Sequence, residues 1–233
     1  MLKKICILIS LTILLANFSF SEKIKFWLRF PTYSRQTMDF IDNLKLDYPN
    51  LADDHIQKFV WVNQPFHASS YKPNDLVDLQ WLSHISAQKY HKLRKEAAEN
   101  LENLANDFYS HFWKNIVVIS AYRSYSYQKN SISENCKQTW YCAKEWESEH
   151  QLWLAIDLRE TTNEEIFLSK YQEYYNRLKN KAHLYWFHQS YQNWKEIDGY
   201  YIEPWHWRYL WKNLATKLYE NSITFTQYVK NIN

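Results

Sequence analysis

Ser148-Glu149-His150-Gln151-Leu152-Trp153-Leu154-Ala155-Ile156-Asp157-Leu158 is the stretch on which the reading of this chain turns. Its second half, Leu154–Leu158, is short and apolar and reads as a buried strand. His150 stands in the loop before that strand, and Asp157 stands on it seven residues later. Upstream, Ile116-Val117-Val118-Ile119 is a second β-branched run and predicts another buried strand, followed at once by Arg123 in S-A-Y-R-S-Y-S-Y-Q. Before it, Leu93, Ala97, Leu101, Leu104 and Phe108 recur at spacings of four and three, which marks one face of a helix within 88–112.

Downstream of the quoted stretch, Thr162 and Glu165 fit a capping box for a helix running to about Lys181. Trp186–Tyr191 and Gly199–Ile202 read as two strands of a hairpin turning at Asn193-Trp194. The text E-P-W-H-W-R-Y then predicts a last helix over 205–219, because Pro204 suits a helix start. From Phe59 to Leu79 a wrapping segment with one short strand is expected. Strands and helices mix without a βαβ repeat, so the fold class is α+β, a small antiparallel sheet flanked by helices.

The N-terminus is different in kind. Met1-Leu2-Lys3-Lys4 is basic, Ile5 to about Leu15 is apolar, and small or polar residues follow at Ala16, Asn17, Ser19 and Ser21. That order reads as a signal peptide over 1–21, with an uncleaved anchor as the alternative. A lead-in segment over 22–55 and a single domain over 56–233 complete the organisation. Without residues 1–21 the net charge falls from +3 to +1, which gives no reason to expect nucleic acid as a partner. A monomer is expected, exported and touching the membrane only through an uncleaved N-terminus. Cys6 lies in the signal, leaving Cys136 and Cys142; in an exported chain an even pair predicts a disulfide, with thiolate metal ligands as the alternative.

The candidate chemistry lies in histidines and carboxylates. A catalytic zinc site takes three N or O ligands and keeps one position open. His150, Asp157 and His206 supply that donor set. Glu203, three residues before His206, can face the same cavity as a free carboxylate and act as general base.

Three blocks carry a family resemblance: Tyr122-Arg123-Ser124-Tyr125 with Gln128, Ser148-x-His150-x6-Asp157, and Glu203-Pro-Trp-His206-x-Arg-Tyr209. Together they resemble the VanY-like D-alanyl-D-alanine carboxypeptidases, within the metallopeptidase group that includes lysostaphin and the Hedgehog signalling domain. The likeness spans roughly residues 56–212. It implies a Hedgehog/DD-peptidase-like zinc fold, one Zn2+ on His150, Asp157 and His206, and Glu203 as base. It further implies that Arg123 stabilises the oxyanion, that Ser148 and Gln128 seat the carboxyl end of the substrate, and that the partners are peptidoglycan stem peptides. The implied reaction is removal of terminal D-alanine outside the cytoplasmic membrane, by a D,D- or L,D-carboxypeptidase. An endopeptidase of the same fold and a non-hydrolysing zinc module are the alternatives.

One compositional fact resists this picture. The chain has one glycine and twelve tryptophans, against an average glycine usage of about 7%. Trp113 ends a helical pattern, and Asn193-Trp194 fills a tight turn, where backbone geometry favours glycine. The family usually has glycine at Trp153, Trp186 and Trp211, and also at Trp113, Trp146 and Trp194. The reading is that many of these are glycines in the cell, from a reassigned stop-type codon. A genuinely tryptophan-rich protein is the alternative, and it would set an indole between two zinc ligands at Trp153.

Overall fold

The computed structural model describes residues 51–62, 71–136, 142–159, 169–211 and 213–232. The signal peptide over 1–21, most of the lead-in and the capping box at Thr162 and Glu165 lie outside the described residues. Among the described residues, no helix is long and apolar enough to cross a membrane.

Strand β1 (Leu76–Asp78) pairs antiparallel with β3 (Lys92–Arg94) in a two-stranded ribbon. The central sheet has five strands in the order β2 (Ile85–Ser86), β4 (Ile116–Ser120), β5 (Ala155–Leu158), β7 (His206–Tyr209), β6 (Phe187–Gln189). Every neighbouring pair is antiparallel except β2 with β4, so the expected antiparallel sheet carries one parallel edge. Helix α1 (Lys95–Phe112) buries Ala97, Leu101, Leu104 and Phe108, the face that the sequence periodicity gives. Leu93 is buried too, but from β3, because the helix starts at Lys95 rather than 88. Its end is set by Trp113, whose φ of 56° and ψ of 34° are left-handed and whose N–H donates to the Tyr109 carbonyl at 2.8 Å.

The chain after β4 forms a short helical turn, α2 (Tyr125–Tyr127), continued by a wide turn over Gln128–Ser133. A 3₁₀ turn at Glu149–Leu152 leads into β5, and α3 (Ser169–Lys181) runs into a second 3₁₀ turn at Ala182–Tyr185 before β6. Helices α5 (Leu214–Glu220) and α6 (Phe225–Ile232) close the chain.

Two expectations are corrected. No hairpin joins 186–191 to 199–202: the segment between is a helical turn, α4 (Lys195–Asp198), capped by Gly199 at φ 87°. Trp194 is its extended N-cap at φ −64°, so the backbone there makes no demand for glycine. The strand that pairs with β6 is instead β7, and residues 206–209 are strand where a helix was expected. Both faces of β7 are buried, and its polar–apolar alternation, His206-Trp207-Arg208-Tyr209, runs over only four residues, too short to announce a strand against the helix-start signal of Pro204.

The core lies between α1 and the sheet and includes Leu93, Leu101, Phe108, Ile116, Val118, Ile156, Leu158 and Tyr209. Strands β5 and β7 therefore sit in the middle of the sheet, where their positions are fixed from both sides. Asp157 faces His206 across this pair, in register.

Candidate metal centre

Pairing of β5 with β7 brings Asp157 and His206 side by side, and the 3₁₀ turn entering β5 hangs His150 over them. His206 Nδ1 is 3.1 Å and His150 Nε2 is 3.2 Å from Asp157 Oδ1. One ligating atom from each of the three lies within 4.8 Å of the others, and all three side chains are buried. His150 Nδ1 faces the Ala121 carbonyl at 2.5 Å and so carries its proton there. That leaves Nε2 aimed into the cluster, buried and without a hydrogen bond. A buried imidazole lone pair with no donor, a second imidazole and a carboxylate make the N,N,O set that divalent zinc takes.

Glu203 stands on the loop before β7, its Oε2 3.9 Å from His206 Nδ1. Burial, reinforced by the charges of Asp157 and Glu149 and opposed by His206 and Arg123, raises its pKa to about 8. Burial also holds His150 down, to about 4. For His206 burial pulls the same way, but hydrogen bonds to Asp157 and Glu149 overcome it and raise the pKa to about 10. Asp157 is lowered well below the usual range: burial opposes this, and His150 and Arg123 outweigh it.

The remaining residues expected from sequence surround the same cavity, of about 210 Å³, whose wall includes Arg123, Gln128, Ser148, Tyr191, Glu203 and Trp205. Arg123 is ion-paired to Asp157 Oδ2 and donates from Nε to Ser120 Oγ at 2.9 Å. A register shift in β4 between Val118 and Ser120 turns the chain there. Gln128 is fully buried and donates to the Ala143 carbonyl at 2.6 Å, while its Oε1 has no partner. Ser148 is buried at the mouth of the 3₁₀ turn. Cys136 and Cys142 form a disulfide, and Cys142 reaches the cavity wall. Trp153 does not enter that wall; its indole lies flat on Tyr122, centroids 3.4 Å apart at 2°.

Glu149 escaped the sequence reading. It is buried beside His150, accepts from His206 Nε2 at 2.8 Å and from Ser190 Oγ at 2.6 Å, and lies 3.7 Å from Arg208 Nη1. Burial would raise its pKa, yet the His206 hydrogen bond and Arg208 bring it to about 2. The available signal was an acid directly next to the candidate ligand His150, in the loop before the strand.

Fold and cluster together define a class, the α+β fold of zinc peptidases. Comparison with known proteins narrows it. Residues 90–212 match the family described as VanY: D-alanyl-D-alanine carboxypeptidase. The chain is 28% identical over 214 residues to the putative carboxypeptidase YodJ of Bacillus subtilis, covering 86% of this chain and 77% of that protein. Among solved structures, the LdcB LD-carboxypeptidase superposes with a TM-score of 0.59 at 27% identity, over 71% of this chain and 82% of that one. VanYB in complex with D-alanine-D-alanine shares the fold, with a TM-score of 0.56 at 24% identity over 74% and 96% of the two chains. A VanY variant from the VanB-type cassette, in complex with Zn(II), does so at 0.56 and 23%, over 73% and 97%. This chain belongs to the VanY family of D-alanyl-D-alanine carboxypeptidases.

Proposed function

We propose that this protein is a zinc-dependent carboxypeptidase that removes the terminal D-alanine of peptidoglycan stem peptides outside the cytoplasmic membrane. The observation that carries the reading is the convergence of His150, Asp157 and His206 within 4.8 Å, beside an unligated Glu203. His150, Asp157 and His206 would hold the ion; when bound, it supplies Lewis acidity that polarises a peptide carbonyl and acidifies water. The chain's own groups do the rest. Glu203, buried and basic for a carboxyl, takes the proton of the attacking water and hands it to the leaving amine nitrogen. Arg123, on the cavity wall, offers a fixed guanidinium to the oxygen on which negative charge builds. Ser148 and Gln128 line the same wall, and the unpartnered Gln128 Oε1 marks a polar atom that a bound peptide can satisfy. Hydrolysis then needs no covalent attachment to the protein. The complexes of relatives with D-alanine-D-alanine and with Zn(II) support this reading.

The test is to incubate purified protein with tetrapeptide and pentapeptide stems, with and without a chelator. Free D-alanine should appear, should vanish with the chelator and should return with added zinc. Release of an internal fragment instead would make the protein an endopeptidase and overturn the carboxypeptidase reading.

A further inference from the structure

We propose that Glu149 is a positioning residue that selects which ring nitrogen His206 offers to the metal; this rests on the metallopeptidase reading above. A carboxylate only accepts hydrogen bonds, so the 2.8 Å contact holds the His206 proton on Nε2. Nδ1 is then the nitrogen left for the cluster, on the side of Asp157. The second histidine is set the opposite way, with Nδ1 on the Ala121 carbonyl and Nε2 inward. Glu149 is itself held in place by Ser190 Oγ and by the guanidinium of fully buried Arg208, which also binds the Ile56, Lys58 and Tyr209 carbonyls. One buried acid thus ties His206 to the frame of the molecule from behind.

The experiment is zinc affinity by chelator competition, with 15N shifts of the His206 ring, in the parent, Glu149→Ala, Glu149→Gln and Ser190→Ala. Loss of such an outer partner should weaken zinc binding about 10–100-fold in Glu149→Ala and shift His206 toward mixed tautomers. Glu149→Gln keeps an acceptor and guards against a misfolded alanine variant; it should fall between. Unchanged affinity and an unchanged His206 tautomer in both Glu149 variants, with a parent that binds zinc, would overturn this role alone. A parent that takes up no zinc would sink the metallopeptidase reading as well.

A separate observation carries a second inference. Among the described residues, eight non-glycine residues have positive φ, and five of them are tryptophan: Trp113, Trp146, Trp153, Trp186 and Trp211, at 56–75°. A bulky side chain there is a steric outlier. Trp113, Trp153 and Trp186 each end a helical turn in the left-handed conformation and feed β4, β5 and β6, the position that glycine commonly fills. Trp113 is 77% exposed, and the buried Nε1 of Trp153 has no hydrogen bond. Trp207, on extended backbone in β7, instead donates from Nε1 to the Pro204 carbonyl at 3.1 Å.

We infer that the codons behind these five positions are read as glycine in the cell of origin. Peptide mass spectrometry of protein isolated from those cells should show each of the five lighter by an indolylmethyl group exchanged for hydrogen, with Trp207 intact. The gene should carry one triplet at all five and another at Trp207. Tryptophan in the native peptides overturns the inference. As a second readout, a chain with all five changed to glycine should melt higher than the chain with tryptophan; a lower melting temperature counts against it.

Discussion

At the scale of the residue, the proposed reaction depends on the charge state of Glu203. Its pKa is raised to about 8, first by burial, so in the metal-free protein it is protonated below that value. A base must be deprotonated, so kcat/KM should rise with pH along an acidic limb. A nearby divalent cation favours the carboxylate and moves that limb below 8. Glu203→Gln should lower turnover by about 10²–10⁴-fold, remove the limb and leave bound zinc at one per chain by elemental analysis. Turnover within a few-fold of the parent would exclude Glu203 as the base. The convergence of His150, Asp157, His206 and Glu203 was legible in sequence through the order and spacing of the three blocks that carry the family resemblance. Glu149 was not, because its part depends on β7 bringing His206 and Arg208 against the turn that holds it, and no spacing along the chain encodes that contact.

At the scale of the element, legibility followed burial pattern. Helix α1 shows a one-sided apolar stripe and was readable to its final residue; β4 and β5 are short β-branched or apolar runs and were readable too. Strand β7 was mistaken for a helix because the alternation of His206-Trp207-Arg208-Tyr209 covers only four residues, and because Pro204 suits either a helix start or the entry to a strand. The neighbouring strand gives a test of packing. His188 on β6 is buried, and its Nε2 accepts from the Phe225 N–H at 3.3 Å at the start of α6. Burial lowers its pKa to about 4, against a slight upward pull from Glu149. The unfolded chain therefore binds the extra proton first, below 6.5. The stability that goes with a neutral His188 is complete above 6.5 and is lost as pH falls through about 4, on the order of 3 kcal/mol. In chelator, denaturant unfolding at pH 7 and pH 4 should differ less in His188→Leu than in the parent by about that amount. Equal differences would show that this interface does not sense the proton. The same variant loses an acceptor for the Phe225 N–H, so at pH 7 it should be less stable by about 1–3 kcal/mol.

At the scale of the whole molecule, the candidate metal cluster is assembled from parts distant in the chain: a 3₁₀ turn at 149–152, strand β5 and strand β7. Unfolding separates them, so an ion held by all three binds the folded chain and has little hold on the unfolded one. Ligation then adds stability as RT ln(1 + [L]/Kd), about 4 kcal/mol when free zinc is 1,000 times Kd. For a domain of this size, 1 kcal/mol moves Tm by about 2–4 °C, so zinc should raise Tm by about 10 °C over the chelated protein. The rise should grow with the logarithm of free zinc, which separates specific binding from a general salt effect. His150→Ala should remove most of the shift, because the set falls to two ligands while the Ala121 carbonyl loses only one donor. Glu203→Gln, which spares all three ligands, should retain it. Superimposable melting curves with and without chelator would mean that the three side chains come together for a reason other than holding a metal.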